Sequence, residues 1–146
     1  MGSFFYSMDN KGRVNIPPRF RDVLQERQDR QLILTNYDGY IIAFAYSEWL
    51  KITAALDRQA PLFDKEMRRF QRFLYGRAEE CPLDRMGRIL IPQHLRTYAR
   101  LTREVAILGV GRAIEIWDRQ TFDQAPEDLE ESMSREVQEK YQSMMI

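Results

Sequence analysis

The sequence predicts an α+β fold built from two similar halves that share one core. The stretch DNKGRVNIPPRFR, from Asp9 to Arg21, returns as DRMGRILIPQHLR, from Asp84 to Arg96. Each copy is followed by two short apolar runs with a turn between them, which is the pattern of a β-hairpin. A half-chain of about 70 residues is near the lower limit for an independent core, so we expect the halves to fold together.

The first half begins with a predicted strand from Ser3 to Met8. A turn over Asp9–Gly12 follows, because Asp and Asn tolerate turn geometry and Gly supplies a positive φ. The segment Val14–Ile16 alternates apolar and polar residues, as a half-buried strand does. Pro17 and Pro18 end that strand and are suited to open a short helix. The apolar face of this helix would consist of Phe20, Val23 and Leu24.

The hairpin of the first half is formed by LILT and YIIAF, with a turn predicted over Asn36–Gly39. Ser47 is a suitable N-cap for a helix from Glu48 to about Leu56. A second helix is predicted from Asp64 to Tyr75, since its apolar residues recur at helical spacing, and Gly76 is suited to end it. The apolar side contains Met67, Phe70 and Leu74, and the other side contains Arg68, Arg69 and Arg72.

The second half repeats this order. AEECPL is the expected strand, DRMG the turn and RILI the next strand, and Pro92 opens the helix. EVAIL and AIEIW form the second hairpin, with its turn over Gly109–Gly111. The aromatic residues of the two halves correspond as Phe44 with Trp117 and Trp49 with Phe122.

The sequence therefore divides into four regions. They are a first repeat over residues 3–48, a helical linker over 49–76, a second repeat over 77–120 and an acidic helical tail over 121–146. The tail carries apolar residues at helical spacing, namely Leu129, Met133, Val137 and Tyr141.

Charge is distributed unevenly, although the 22 basic and 22 acidic residues cancel in the total. Residues 1–30 carry six basic and four acidic groups, and residues 65–103 carry ten basic and four acidic groups. Residues 115–146 carry three basic and nine acidic groups. Both copies of the repeat therefore lie in positive segments, and local fields rather than the total steer an anionic partner.

The composition predicts a cytoplasmic protein with no membrane segment. The longest apolar stretch, Tyr40 to Tyr46, is far too short to span a bilayer. The N-terminus lacks the basic and long apolar regions of an export signal. Cys81 is the single cysteine, which excludes an internal disulfide framework.

The repeated turn has both a structural and a functional interpretation. In the structural one, Asp9 and Asp84 accept backbone N–H groups within the turn and pair with the Arg four residues later. In the functional one, each half places two arginines on one edge: Arg13 with Arg21, and Arg88 with Arg96. Lys11 and Arg85 add a cation to each loop. The planar guanidinium suits phosphate oxygens and guanine O6 and N7.

The repeated motif resembles the D-x-x-x-R–strand–Ile-Pro–helix–Arg signature of AbrB-type swapped-hairpin DNA-binding domains. Two copies in one chain resemble the MraZ family of bacterial transcription regulators. The segments RRFQRFLYGRAEECPLDRMGRILIP and LTREVAILGVGRAIEIWDRQTF are similar to the linker and second half of that family. The resemblance covers roughly Phe4 to Phe122 and fades after Asp123.

This resemblance implies a pseudo-twofold double swapped-hairpin β-barrel with peripheral helices. It also implies ring-shaped homo-oligomers in the nucleoid that bind short direct repeats in the promoter of the division and cell-wall gene cluster. The DNA-facing residues would be Lys11, Arg13, Arg21, Arg85, Arg88 and Arg96, and the loops would be shaped by Asp9, Gly12, Asp84 and Gly87. It implies no cofactor, metal or small-molecule substrate. The first loop reads Asn10-Lys11 where the second reads Arg85-Met86, so the two copies are expected to touch DNA unequally.

Other classes of function are less well supported. An enzyme could use a Cys81–His94 dyad, but Cys81 lies within a predicted strand and the required base, orienting group and oxyanion donors cannot all be assigned. No Cys/His cluster has the spacing of a metal site. The alternative is an antitoxin-like interaction protein whose acidic C-terminal helix binds a protein partner, although an antitoxin of this fold usually has one copy. The arginines at 68, 69 and 72 are interpreted as a solvated or ion-paired helix face rather than a DNA contact.

Overall fold

The computed structural model describes residues 2–59, 61–124, 135–137 and 139–140. The first half contains β1 (Ser3–Ser7), β2 (Arg13–Asn15), α1 (Pro18–Glu26), β3 (Gln31–Tyr37) and β4 (Tyr40–Ala45). The connecting helices are α2 (Tyr46–Gln59) and α3 (Lys65–Tyr75). The second half contains β5 (Glu79–Pro82), β6 (Arg88–Leu90), α4 (Gln93–Tyr98), β7 (Glu104–Val110), β8 (Ala113–Asp118) and α5 (Arg119–Asp123). The fold is thus α+β, with the same strand–strand–helix–hairpin order in each half.

Both hairpin turns are tighter than the sequence predicts. The first turn consists of Asp38 and Gly39 alone, and Asn36 belongs to β3. Asn36 is fully buried there, and its Nδ2 donates a hydrogen bond to the carbonyl of Phe73 at 2.8 Å. The second turn likewise excludes Gly109, which lies within β7. Asn is a residue type that favours turns, but the hydrogen bond to α3 holds Asn36 within the strand.

The helix boundaries follow their caps. Asp64 caps α3 by accepting the N–H of Met67 at 3.1 Å, as the predicted helix requires. Ser47 is not the N-cap of α2, because that helix begins at Tyr46 and the Ser47 hydroxyl donates instead to the carboxylate of Asp29 at 2.8 Å. Gly76 ends α3 with φ −66°, without the left-handed conformation that a glycine stop usually supplies.

Strand pairing joins the two halves. Six antiparallel strands form one sheet in the order β1-β7-β8-β4-β3-β5. The first strand of each half therefore pairs with the hairpin of the other half, β1 with β7 and β5 with β3. The strands β2 and β6 pair with each other as a separate two-stranded ribbon. Neither half can complete its own strand pairing alone, which agrees with the expectation of a shared core.

The predicted closed barrel is not found among the described strands. The sheet ends at β1 and β5, which do not pair with each other, and β2 and β6 pair only with one another. Each ribbon strand is three residues long and is followed within two residues by a proline, Pro17 or Pro92, which has no N–H to extend a ladder. The ribbon therefore lies apart from the main sheet.

The core draws equivalent residues from both halves. Its fully buried large side chains include Val14, Ile16, Leu32, Leu34, Ile41, Ile89, Ile91, Leu95, Ile107 and Ile116. The aromatic correspondence also appears in the contacts. Phe44 lies 5.8 Å from Trp49, and Trp117 lies 6.1 Å from Phe122, between ring centroids. The duplication thus extends from the loops into side-chain packing.

A buried hydroxyl attaches α3 to the sheet. Thr35 is fully buried, and its Oγ1 donates to the carbonyl of Leu74 at 2.6 Å. We predict that Thr35→Val lowers the free energy of unfolding by about 1–3 kcal/mol, because it leaves that carbonyl without its donor. Urea unfolding of Thr97→Val, an exposed position on α4, is the control and should change by less than about 0.5 kcal/mol. Equal midpoints for the two variants would contradict this role of Thr35.

Candidate nucleic-acid interface

Two loops of the same construction precede β2 and β6. In the first, Asp9 Oδ1 accepts the backbone N–H of Lys11 at 3.0 Å and of Arg13 at 2.8 Å, while Oδ2 accepts Nε of Arg13 at 2.7 Å. In the second, Asp84 makes the three equivalent bonds, each 2.9 Å long, to the N–H groups of Met86 and Arg88 and to Nε of Arg88. One carboxylate therefore shapes each loop and orients one guanidinium.

These bonds favour the ionised carboxylate. They lower the pKa of Asp9 to about 2, with the N–H of Arg13 as the largest cause. Partial desolvation acts in the opposite direction, and the Arg13 guanidinium and the N–H of Lys11 lower the pKa further. The pKa of Asp84 is lowered by the equivalent groups, led by the N–H of Arg88. Both loops consequently keep their charge pairs at any pH near neutrality.

The ribbon register places the two oriented arginines on one face. Val14 is paired with Ile89, and both are buried against the core. Successive side chains of a strand point to opposite faces, so the neighbouring positions point outward. Arg13 lies opposite Leu90, and Asn15 lies opposite Arg88. The outer face, called the ribbon face below, therefore presents Arg13, Asn15, Arg88 and Leu90, with the arginines at diagonal positions.

The arginines of the ribbon face keep donors available. Their side chains are 36% exposed for Arg13 and 25% for Arg88. An arginine has five N–H donors, and the aspartate takes the one on Nε. Among the described residues the terminal nitrogens of both side chains have no hydrogen-bond partner. Each guanidinium is thus held in place at one end and able to bind an acceptor at the other.

The other two predicted arginines cross between the halves. Arg96 of the second half packs over Gly12, where a methyl group on the glycine would lie 2.7 Å from the guanidinium carbon. Arg21 of the first half packs over Gly87 in the same way. Both glycines have positive φ, 95° and 76°, and a side chain at either would be strained as well as crowded. The sequence predicts Arg21 on one edge with Arg13, and Arg96 on one edge with Arg88. In the structure Arg21 instead packs over the loop that precedes Arg88, and Arg96 over the loop that precedes Arg13.

The packing of Arg21 and Arg96 against the loops of the opposite halves has a physical reason. The carbonyl of Gly87 accepts the N–H of Ile16, and the carbonyl of Gly12 accepts the N–H of Ile91, each at 2.9 Å. The start of each short helix is thereby fixed against the loop of the opposite half. The first turn of α1 then brings Arg21 to the second loop, as α4 brings Arg96 to the first.

The two sides of this arrangement differ. Arg96 Nε donates to the carbonyl of Ile91 at 3.0 Å. Arg21 Nε is buried and has no hydrogen-bond partner among the described residues. At the loop tips, Lys11 and Arg85 are both exposed. Each loop thus carries three cations close together, two from its own half and one from the other.

Sequence reasoning did not identify two members of the ribbon face, Asn15 and Leu90. Both are exposed, and the side chain of Leu90 stands out as a large apolar residue at 55% exposure. The alternation in RVN and RIL is the signal that could have found them, since the buried middle residue assigns its neighbours to the outside.

The residues considered for catalysis, Cys81 and His94, lie in β5 and α4. Cys81 is buried in β5, and burial raises the pKa of its thiol to about 12, so it is protonated at neutral pH. His94 lies 3.5 Å from a carboxylate oxygen of Glu79 and 3.2 Å from the carbonyl of Arg77, near the surface. Within the described residues there is no group of three metal-binding side chains. No described helix is both long enough and apolar enough to cross a membrane.

Comparison with known families identifies the same two halves. A family model described as "MraZ protein, putative antitoxin-like" matches residues 1–73 and matches again over residues 74–143. The two matches together cover nearly the whole chain, and their boundary lies near the end of α3.

The bonds to Asp9 predict a specific titration. Arg13→Ala should raise the pKa of the Asp9 carboxyl only part of the way from about 2 toward 3.8, because the backbone N–H groups remain. A depressed folded pKa means that the carboxylate stabilises the loop above about pH 4, and that this contribution is lost as the pH falls toward 2. The carboxyl carbon resonance of Asp9, followed by NMR against pH, measures the pKa of this carboxyl in the native protein and in the variant. A full return to 3.8 in the variant would show that the guanidinium, not the backbone, dominates.

The crowding at Gly12 predicts a second effect. Gly12→Ala and Gly39→Ala both place a side chain at positive φ, but at Gly39 no atom lies within 4 Å. Each should lose about 1–3 kcal/mol of unfolding free energy from backbone strain. Gly12→Ala should lose about 0.5–1.5 kcal/mol more, because the Arg96 bond to Ile91 is displaced. Adding Arg96→Ala to both variants should remove that difference in denaturant unfolding, and its persistence would contradict this role of Arg96.

Proposed function

The chain belongs to the MraZ family, and from that premise we propose that it is a sequence-specific double-stranded DNA-binding transcriptional regulator. The observation that carries the proposal is the ribbon face, where Arg13 and Arg88 occupy diagonal positions with their guanidinium groups oriented by carboxylates. A structural turn needs the aspartates, but it does not need two oriented cations on a common outer surface.

The ribbon has a shape that DNA accepts. The major groove is about 12 Å wide and admits a two-stranded β-ribbon. Held at Nε, each arginine can offer its remaining donors to guanine O6 and N7 with little loss of side-chain entropy. Leu90 would contact a thymine methyl group, and Asn15 would hydrogen-bond an adenine edge. We assign base recognition to these four residues.

The surrounding cations suit the phosphates. Lys11 and Arg85 extend from the loop tips, and Arg21 and Arg96 flank them. Neutralising phosphates releases counterions, which supplies affinity without sequence preference. The two loop tips differ in sequence. Nε of Arg96 donates a hydrogen bond, whereas Nε of Arg21 has no partner among the described residues. Both differences favour unequal DNA contacts by the two halves.

The strand exchange supports an AbrB-like architecture. We propose that the pairing of β1 with β7, β5 with β3, and β2 with β6 is the double swapped hairpin with a pseudo-twofold axis through the ribbon. We also propose that the chain divides into one repeat over 3–48 and a second over 77–120, with a linker between them and a tail after them.

We further propose that copies form closed rings in the nucleoid. Exposed apolar residues on the helices, Val23, Leu50 and Phe73, are available for contact between copies. A ring would hold several ribbon faces side by side, so consecutive direct repeats in a promoter would bind at high effective concentration. The target we propose is the promoter of the division and cell-wall gene cluster, including that of this gene.

An antitoxin-like interaction protein is the second candidate, and the description of the matching family favours it. In that case the acidic tail would bind a protein partner. Its residues Leu129, Met133 and Tyr141 lie outside the described residues, and Val137 is an exposed helical residue.

Removing both oriented arginines tests the proposal. We predict that Arg13→Ala combined with Arg88→Ala lowers affinity for the chain's own upstream duplex by at least about 30-fold, since each base contact contributes about 1–3 kcal/mol. Fluorescence anisotropy at physiological salt measures the decrease, and light scattering should show an unchanged oligomer. Arg119→Ala is the control, because Arg119 also pairs through Nε with an aspartate, Asp123 at 2.9 Å, but lies on α5. Normal binding by the double variant would contradict the site.

The loop tips should behave differently. We predict that Lys11→Ala combined with Arg85→Ala weakens binding to the upstream duplex and to a scrambled duplex by a similar factor. The slope of log affinity against log salt should fall by about 1 for each phosphate that the variant no longer neutralises. A selective effect on the upstream duplex alone would show that these residues read bases instead.

A further inference from the structure

Helix α3 covers one end of the first hairpin. Between ring centroids, Phe70 lies 6.4 Å from Tyr37, and Phe73 lies 6.1 Å from Tyr98. Two hydrogen bonds, of 2.6 Å and 2.8 Å, also join the last turn of α3 to β3. The surface that receives α3, called the first docking site below, consists of Thr35, Asn36, Tyr37 and Tyr98. The helix therefore ties β3 of the first half to α4 of the second.

The corresponding surface of the duplicated fold is exposed. Tyr37 corresponds to Val110, since each is the last residue of a seven-residue strand, β3 or β7. Tyr98 corresponds to Val23, since each follows the last arginine of the repeated motif by two residues. Val110 is 47% exposed and Val23 is 43% exposed. This surface, called the second docking site below, consists of Leu108, Gly109, Val110 and Val23.

A cavity lies at the second docking site because small residues stand where the first site has large ones. Ala113, the first residue of β8, corresponds to Tyr40, the first residue of β4. Val23 likewise corresponds to the larger Tyr98. The cavity has a volume of about 300 Å³, and both small residues line it together with Phe20. A flexible apolar side chain such as that of methionine suits a gap of this kind.

The C-terminal segment carries the apolar pattern with which α3 packs on the first docking site. Residues 70–75 of α3 read FQRFLY, and residues 141–146 read YQSMMI. Both stretches have glutamine at the second position and large apolar residues at the first, fourth, fifth and sixth. Residues 141–146 lie outside the described residues, so the correspondence is one of sequence. The matching pairs are Phe70 with Tyr141, Phe73 with Met144, and Leu74 with Met145.

The connection to this pattern has nearly the same length in both halves. Helix α2 begins at Tyr46 directly after β4, and α5 begins at Arg119 directly after β8. Tyr141 follows Arg119 by only two residues fewer than Phe70 follows Tyr46. The family matches agree, because the copy over residues 1–73 extends into α3 and the copy over 74–143 extends into the segment. The segment is thus long enough to reach the second docking site as α3 reaches the first.

We propose that residues 136–146 form a helix that docks on the second docking site of their own chain, in the way that α3 docks on the first. Met144 and Met145 then enter the cavity beside Val23, as Phe73 lies against Tyr98. Each of the short helices α1 and α4 carries an arginine to a loop of the candidate interface. The docked segment holds α1 in position as α3 holds α4.

The charged residues of the segment agree with this orientation. Residues 136, 137, 139 and 140 are helical and exposed, as are the corresponding residues 65, 66, 68 and 69 of α3. Glu136 pairs with Lys140 at 3.4 Å, and Arg135 pairs with Glu139 at 3.2 Å, so these charges are paired within the segment. The acidic groups therefore lie on the outer side, and the proposed contact is apolar.

Thiol cross-linking of the full-length chain tests the proposal. Val23→Cys with Met144→Cys places thiols at the positions that correspond to Tyr98 and Phe73, whose rings are in contact. A short bifunctional thiol reagent should link these two positions within one copy. The native Cys81 is buried and should not react.

The matched control is Val23→Cys with Val137→Cys. Val137 belongs to the same segment but corresponds to Glu66, an exposed residue at the start of α3, so this pair should link far less. Equal yields from the two pairs would show that the segment has no fixed site. Absence of a link in the first pair, or links found only between isotopically different copies, would show that the segment does not dock on its own chain. Each of these results overturns the proposal.

Hydrogen exchange of the full-length chain, followed by mass spectrometry, tests the apolar contact. Amides of residues 136–146 should be protected in the native chain. Met144→Ser with Met145→Ser should speed their exchange at least about tenfold and should also speed exchange in α1, because the contact with Val23 is lost. Val137→Ser should leave both regions nearly unchanged. An unprotected segment in the native chain, or equal effects of the methionine and valine variants, would contradict docking at this site.

Discussion

The pairing of β2 with β6 determines where the two oriented arginines of the candidate interface lie. Each strand is three residues long and finds its partner only in the other half. Burial of Val14 against Ile89 fixes which side faces the core, and this alone sends Arg13 and Arg88 to the same outer face. The halves must therefore assemble before the ribbon face exists, so folding and the proposed binding of DNA depend on the same contact.

The aspartate in each loop contributes orientation more than stability. The pairs of Asp9 with Arg13 and of Asp84 with Arg88 are partly exposed, and such ion pairs contribute little to the free energy of folding. Their effect is to hold each guanidinium in one direction before a ligand arrives, which reduces the entropy lost on binding. Most of the bonds that shape the loop are donated by the backbone, so the loop can keep its form when its arginine makes the proposed contact with DNA.

Local features were predictable from the sequence because their causes are local. The apolar spacing of α3 and the glycine after it located that helix to within one residue, and the duplicated motif located both loops. The exchange of Arg21 and Arg96 between halves was not predictable, because no local pattern states which loop a helix will pack against. The position of Asn36 within β3 was not predictable for the same reason, since its hydrogen-bond partner is distant in the sequence. The open edges of the sheet likewise depend on which strands meet, and no local pattern states this.

Mapping the contact on DNA tests the central claim most directly. The full-length chain can be photo-cross-linked to its own upstream duplex carrying 5-bromouracil, and the modified peptides located by mass spectrometry. We expect cross-links within residues 11–15 and 85–90, reduced by an excess of unmodified upstream duplex but not by a scrambled one. Cross-links confined to other surfaces, with both ribbon strands unmodified, would contradict the assignment of the ribbon face.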